Sequence, residues 1–396
     1  MGCQSHRDRV DWRKVSAFVA LVLVSFGIRA TGRPFARFDR SLARIGKRCA
    51  AQWRSIMTER TRRLRGDMKS EFMIVGGNVN RELALAIAQH ADVELGKCRV
   101  ARFPDTEVNV QLDEPVRDRH VFIVQSSCPH VDEHAMEAFA IADACRRAGA
   151  SSITWIAPYF GYARSDKRRG RRTALMGRLV ADFAERAGVD HVMTVDLHSP
   201  QLEGFFHVSV ENLTAVPVIS DALKPEMEPG SVIVSPDTGG MKLAAAYASR
   251  LGCPMAVLQK ERLDGSETVV NRVVGDVRGR LCVIVDDMIS TGGTIRNAID
   301  ALLQAGAQES FIVAATHPVF TPEARTNLHH PLIQQIIVTD SIPVTHHHWQ
   351  HAYVVSLAPI IAQAIGRDRS RPGEAENLTE MRMHSDLYPG RAITLA

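Results

Sequence analysis

From residue 71 onward the chain alternates short apolar runs with stretches of helical periodicity, and few folds accommodate that pattern. The apolar runs fall at 72–76, 97–101, 120–125, 152–158 and 191–196, then at 231–235, 254–259, 281–285, 309–315 and 334–338. Between them the spacing predicts helices over 80–91, 133–148, 174–187, 240–251 and 293–306, with a last one near 357–365. Runs this short, continuous and rich in β-branched residues are buried on both faces, as strands of a parallel sheet are. Strands in turn with helices are the sequence form of parallel α/β layers. The two halves repeat one order of elements, so the expected fold class is α/β, with two similar domains, each a mainly parallel sheet flanked by helices. Pro217, Pro225 and Pro229, with the acidic and irregular 220–230, mark a boundary between a domain at 71–216 and another at 217–365. The polar 366–396, rich in Arg, Glu, Pro and Gly, reads as a flexible tail.

The first 70 residues are of another character. They hold 17 Lys and Arg against 5 Asp and Glu, a net of +12, so the formal +4 of the whole chain leaves −8 for residues 71–396. The basic balance therefore belongs to the extension and gives no reason to expect a nucleic-acid partner for the body. Val15 to Ile28 is an apolar stretch of 14 residues behind Arg7, Arg9 and Arg13. It has the charge and length of a signal-peptide core, without a small-x-small cleavage site, and falls short of the roughly 20 residues that span a bilayer. No membrane partner is expected. The seven cysteines include no C-x-x-C pair, and several sit in apolar runs, as in Leu281-Cys282-Val283. Buried thiols in a reduced, cytoplasmic protein fit that usage, and a structural zinc site does not.

Residues 281–296, LCVIVDDMISTGGTIR, carry the chemistry most openly. An apolar strand over Leu281–Val285 ends on Asp286 and Asp287, at the carboxyl edge where open α/β sheets bind ligands. Ser290, Thr291, Gly292, Gly293 and Thr294 turn the chain into a helix whose first amides favour an anion such as phosphate. Paired acids beside such a cradle suit sugar hydroxyls or a hydrated Mg²⁺. A second unit of the same build, VIVSPDTGGMK at 232–242, places Asp237 before Thr238, Gly239 and Gly240. One such turn is weak, but two in one domain would put a phosphate on each side of a ribose. His346, His347, His348 and His351 have no ligand spacing, and the basic run Lys167–Arg172 reads as a solvated loop.

The pattern V-D-D-M-I-S-T-G-G-T resembles the ribose-5-phosphate-binding signature of phosphoribosyltransferases and, more narrowly, of ribose-phosphate pyrophosphokinases. Ser290 stands where the usual signature has a third acid, a departure that looks like the archaeal-type members. Two segments of the first half, RFPDTEVNV at 102–110 and APYFGYARSDKR at 157–168, resemble the nucleotide-contact segments of the same kinases. The resemblance implies that Phe103, Asp105 and Glu107 line an adenine pocket across a subunit contact, that Arg164 holds the ATP phosphates, and that Ser165 and Asp166 belong to the same ATP site. A Phe face and carboxylate acceptors suit an adenine ring with its amine, and Arg offers phosphate a planar fork. The family's Gln after that Arg is Ser165 here, and its Gly between the two acids is Thr106.

By the same resemblance, His198 in TVDLHSPQLEGFF and Asp237 hold Mg²⁺, the expected cofactor, and Lys260 and Arg262 lie on a mobile catalytic loop over the migrating group. Taken from its residues alone, 258–274 is a solvated hairpin around Asp264-Gly265. Asp286, Asp287 and Ser290 to Thr294 hold ribose 5-phosphate. The resemblance spans about 72–365 in consistent order and implies two domains of phosphoribosyltransferase type, ATP and ribose 5-phosphate as small-molecule partners, and a homo-oligomer of at least two chains. Because it begins near Met73, most of residues 1–67 is expected to be a misassigned start; N-terminal sequencing that finds residues before Met57 would contradict this. Two alternatives stay open at this point: a phosphoribosyltransferase that consumes phosphoribosyl pyrophosphate, and a catalytically silent regulatory paralogue.

Overall fold

A computed structural model of the chain describes residues 72–368, apart from 169, 171, 264–266, 345–348 and 350–351. The basic extension, the four-histidine cluster and most of the expected tail lie outside the described residues.

The first half builds one parallel sheet. β1 (Phe72–Gly76) is followed by α1 (Arg81–His90), the two-residue β2 (Leu95–Gly96) and a separate antiparallel hairpin of β3 (Cys98–Arg102) and β4 (Val108–Leu112). β5 (His120–Val124), α2 (Val131–Arg147), β6 (Ser152–Ala157), α3 (Met176–Ala187), β7 (His191–Val195) and β8 (Ser209–Leu213) complete it, in the order β2-β1-β5-β6-β7-β8. Every pairing in that sheet is parallel. The second half begins with α4 (Val216–Leu223), then β9 (Val232–Ser235), α5 (Met241–Leu251), β10 (Met255–Leu263) and β11 (Glu267–Val274). It continues through β12 (Cys282–Ile289), α6 (Gly293–Gln304), β13 (Phe311–Pro318), α7 (Pro322–Leu328), β14 (Ile333–Thr339), β15 (Ala352–Val355) and α8 (Ala358–Asp368). Its strand order is β11-β10-β9-β12-β13-β14-β15, parallel except where β11 runs back along β10.

The α/β class and the repeated order of elements hold. The differences are local and have physical reasons. The stretch expected to be an irregular boundary contains a helix, α4, with Pro217 in its first turn, where a missing N–H breaks no helical bond. β12 does not stop at Val285 but runs to Ile289, because β13 extends beside it and pairs Asp286 with Ala315 and Ile289 with Pro318. Residues 366–368, expected in the tail, continue α8. Around Lys260 and Arg262 the backbone is laddered rather than looped: Lys260 pairs with Val270 and Arg262 with Thr268.

One apolar core joins the halves. Ile74 and Phe122 of the first sheet, Ile219 of α4, Val283 of β12 and Ile361 of α8 belong to a single buried cluster. Of the helices among the described residues, the last, α8, packs on the first, α1. The cysteines among the described residues are free thiols, four buried and Cys253 partly so. Burial pushes the thiol of Cys128 up to about 11 and that of Cys282 up to about 12, which leaves both uncharged near neutral pH.

Candidate functional site

β12 lies between β9 and β13, and its carboxyl end delivers Asp286 and Asp287. The Asp287 amide donates to Asp286 Oδ1 at 3.0 Å, and the two carboxyl groups also interact directly. Burial, and then the negative charges of Asp287 and Asp237, push the Asp286 carboxyl well above the usual range. Burial works the same way on Asp287, yet the hydrogen bond and charge of His198 hold that carboxyl low. One acid of the pair is thus the ionised partner of a histidine, and the other is held neutral by its neighbours.

After the acids the chain turns through Ser290 to Thr294. The Ser290 carbonyl accepts the Thr321 amide at 3.1 Å, and the Thr291 carbonyl accepts Asn327 Nδ2 at 2.8 Å. Gly292 takes φ +74°, and a Cβ there would come within 2.9 Å of Leu328 Cγ. With the carbonyls fixed outward on α7, α6 begins at Gly293, whose amide donates to Thr291 Oγ1 at a long 3.4 Å, and the first-turn amides of a helix N-terminus favour an anion. The second acid–Gly–Gly unit is built differently from the expectation. Asp237 Oδ1 itself accepts the amides of Gly239 at 2.9 Å and Gly240 at 3.1 Å. Those two amides, expected to cradle a phosphate, are already satisfied by the neighbouring carboxylate.

The first half meets this edge through the turn after β7. His198 Nδ1 donates to Asp287 Oδ2 at 2.6 Å, a contact spanning 89 residues of sequence. That bond raises the His198 imidazole above its ordinary value, against burial. Arg164 and Asp166 lie near enough for their charges to bear on His198. Asp166 Oδ2 accepts the Ser199 hydroxyl at 2.8 Å, and Ser165 Oγ accepts the Met176 amide at 3.1 Å, where α3 starts. A narrow crevice between the halves is lined by Tyr159, Asp196, Leu197, His198, Met288 and His317.

The structure therefore brings together Arg164, Asp166, His198, Asp237, Asp286 and Asp287. It does not bring Phe103, Asp105 and Glu107 to them. These three form the tip of the β3–β4 hairpin, Phe103 is 49% exposed, and the tip's hydrogen bonds stay within the hairpin and its link to α2.

Sequence reasoning missed the seam behind the crevice. Asp196 follows β7 with φ +40°, and its Oδ2 accepts the Ala215 amide at 3.0 Å and the Thr316 hydroxyl at 2.6 Å. His317 is fully enclosed; burial lowers its imidazole, so the ring stays neutral, with Nε2 donating to the Val195 carbonyl at 3.0 Å. Its Nδ1 meets the Ser341 hydroxyl at 3.0 Å. Asn80 adds a bond from the first half, Nδ2 to the Ser341 carbonyl at 3.1 Å. The sequence signals are Asp196 at the end of one apolar strand and polar Thr316-His317 closing another, and neither by itself names a partner.

The donor set fits Mg²⁺. Asp237, Asp286 and Asp287 are hard oxygen donors gathered at one edge, near enough that after burial the charges of Asp287 and Asp237 are what push the Asp286 carboxyl up. Among the described residues no three or more His, Cys, Asp or Glu side chains already form a metal-binding group. Magnesium tolerates that, since it keeps waters and takes substrate phosphates with one or two carboxylates.

Residues 72–188 match the profile of the N-terminal domain of ribose phosphate pyrophosphokinase, and residues 221–344 that of the phosphoribosyl transferase domain. A ribose-phosphate pyrophosphokinase of Ralstonia nicotianae is 40% identical over 304 residues, 76% of this chain and 96% of that one. One from Vibrio parahaemolyticus is 43% identical over 305 residues, again 76% and 96%. The crystal structure of phosphoribosylpyrophosphate synthetase from Mycobacterium smegmatis superposes with a TM-score of 0.70 at 35% identity, covering 75% of this chain and 98% of that one.

Proposed function

The chain belongs to the ribose-phosphate pyrophosphokinase family, which makes phosphoribosyl pyrophosphate from ATP and ribose 5-phosphate, and from that premise we propose how its residues divide the work. The observation that carries the reading is the His198–Asp287 contact at 2.6 Å, which joins the nucleotide side of the first half to the sugar side of the second. Asp286, Asp287 and the loop Ser290, Thr291, Gly292, Gly293 and Thr294 hold ribose 5-phosphate, its phosphate on the first-turn amides of α6 and its hydroxyls on the acids. Arg164, with Ser165 and Asp166, receives the ATP phosphates. Phe103, Asp105 and Glu107 line the adenine pocket of a neighbouring subunit, which accounts for a hairpin tip that its own chain does not bring to the other site residues.

Asp287 fixes the Nδ1–H tautomer of His198 and so leaves Nε2 for the ligand side. His198 and Asp237 would hold Mg²⁺, with the Asp286 carboxyl beside them. When bound, the ion would neutralise the phosphate charge that otherwise repels the attacking oxygen. The protein positions the anomeric hydroxyl of ribose in line with the β-phosphorus of ATP. The new O1–P bond forms as the bond to the α-phosphate oxygen breaks, and AMP leaves with no side chain covalently attached. Lys260 and Arg262, on β10, supply positive charge to the migrating diphosphate.

The profile over residues 72–188 speaks against a simple phosphoribosyltransferase, which has no use for that half. We read the protein as a cytoplasmic homo-oligomer. Among the described residues no helix is long and apolar enough to cross a membrane, and Met136, Leu179 and Phe183 of α2 and α3 are exposed apolar side chains suited to a subunit contact. Replacing Lys260 with Ala tests the division of labour. Turnover is expected to fall by at least about a hundredfold, as for loss of a transition-state charge donor, with thermal unfolding unchanged; a rate near wild type removes Lys260 from the mechanism.

A further inference from the structure

The hairpin tip that carries Phe103, Asp105 and Glu107 contains a residue in a conformation its side chain disfavours. Thr106 has φ +75°, the left-handed region, where a β-branched residue is strained. The turn closes from within through Thr106 N–H to the Phe103 carbonyl at 2.8 Å, Phe103 N–H to the Glu107 carbonyl at 2.9 Å and Glu107 N–H to Asp105 Oδ1 at 3.3 Å. Those bonds are the pattern of a type I turn followed by a left-handed residue, a place that glycine fills without strain and that threonine fills only at a cost something else must offset.

A second set of contacts reaches the tip from the body. Arg102 Nη1 donates to the Thr106 carbonyl at 3.0 Å, while Nη2 lies 3.3 Å from Glu137 Oε1 and 3.2 Å from Glu133 Oε2. Glu137 is 1% exposed, an unusual place for a carboxylate unless it is fully paired. It accepts Asn78 Nδ2 at 3.2 Å and Gln125 Nε2 at 2.9 Å, and lies 3.3 Å from His134 Nδ1. Asn78 follows β1 and Gln125 follows β5, so the carboxylate is rooted in the rigid middle of the first sheet. The guanidinium fork is the only side-chain geometry that serves both the carboxylate and the Thr106 carbonyl with separate N–H groups.

We propose that Arg102, anchored on the buried carboxylate of Glu137, is a positioning residue for nucleotide recognition: it holds Thr106 left-handed and thereby sets Phe103, Asp105 and Glu107 for the adenine ring. This rests on the reading that 103–107 contacts the nucleotide. Arg102 itself touches no substrate.

Steady-state kinetics of the full chain, varying ATP and ribose 5-phosphate separately, test it. Arg102→Ala is expected to raise the KM for ATP about tenfold, the scale of one lost charge-assisted hydrogen bond, and to leave the KM for ribose 5-phosphate within about twofold. Arg102→Lys keeps the charge without the fork and is expected to recover less than half of that loss. Glu137→Gln, which keeps the side chain's volume, is expected to shift the ATP constant in the same direction. Adding Thr106→Gly to Arg102→Ala is expected to bring the ATP constant back towards wild type, because glycine takes the left-handed turn unaided. A merely structural role would raise both constants and gain nothing from glycine. Phe103→Ala separates the inference from the reading beneath it. If Phe103→Ala raises the ATP constant and Arg102→Ala does not, or if glycine gives no rescue, the positioning role is overturned. If Phe103→Ala itself leaves the ATP constant unchanged, the pocket assignment fails and takes the inference with it.

Discussion

Replacing Thr316 with Val tests how the two sheets are held in register beneath the site. The Thr316 side chain is fully buried on β13, and its hydroxyl donates to Asp196 Oδ2 at 2.6 Å, directly after β7 of the other sheet. Valine has nearly the same shape, so no cavity opens and no volume term enters. What is lost is one hydrogen bond to a carboxylate, worth about 1.5–3 kcal/mol. Asp196 Oδ2 keeps the Ala215 amide at 3.0 Å, so its desolvation is still partly met, and about 2 kcal/mol is the expected loss. For a unit of this size that corresponds to a fall in Tm of about 3 °C. His198 lies two residues beyond Asp196, and release of the turn at φ +40° should also misplace it against Asp287 and lower turnover about tenfold. Thermal unfolding by calorimetry, with turnover measured on the same samples, checks both parts. Thr316→Ser keeps the hydroxyl and should retain most of the stability and rate. A valine variant within 1 °C of wild type with full activity would refute the reasoning that this bond registers the halves.

Three further outcomes follow from the geometry. Asp286→Asn should leave the stability of the ligand-free protein at pH 7 unchanged, because burial and the charges of Asp287 and Asp237 already favour the neutral acid, while turnover falls at least about tenfold; a clear destabilisation in denaturant would show that the acid is ionised instead. Gly292→Ala adds a Cβ within 2.9 Å of Leu328 Cγ at φ +74°, whereas Gly279→Ala, at φ +62° with nothing within 4 Å, meets only the backbone cost of about 1–2 kcal/mol. Gly292→Ala should therefore be the less stable of the two in calorimetry and should alone raise the KM for ribose 5-phosphate; equal behaviour would deny the loop its packing against α7. Glu185 accepts the His207 and Val208 amides and the His207 ring, and although burial opposes it these bonds hold its carboxyl below 4.5. A lowered folded value means stability that is present above about pH 4.5 and lost as pH falls through the folded value. The stability gap between wild type and Glu185→Gln, followed by denaturant titration, should shrink over that acid range, and a gap independent of pH would contradict the assignment.

The layout of the fold is legible because its central strands are short apolar runs bounded by turn residues, and β1, β5, β6, β7, β9, β12 and β13 all fall where such runs occur. The elements that escape are those with weak patterns. β8 reads SVENL and is mostly half-exposed, β15 is a four-residue edge strand, and β4 alternates exposed with half-buried residues in a stretch whose chemistry drew attention first. The site divides in the same way. Local pieces, the acids ending a strand and the glycine turn into a helix, follow from spacing alone. Contacts across 89 residues from His198 to Asp287, or 120 from Asp196 to Thr316, leave no local trace, because nothing near either partner restricts which buried polar group it will meet. At Asp237 the spacing leaves out a local bond: its Oδ1 accepts the Gly239 and Gly240 amides that the motif alone offers to a phosphate.

The most direct measurement is AMP release from ATP by the purified full chain, with ribose 5-phosphate and Mg²⁺ added or withheld, and with phosphoribosyl pyrophosphate quantified in the same reactions. The account predicts AMP and phosphoribosyl pyrophosphate in equal amounts only when all three are present, and loss of that activity in a variant that breaks the His198–Asp287 pair. AMP formation independent of ribose 5-phosphate, or none under any of these conditions, would contradict it.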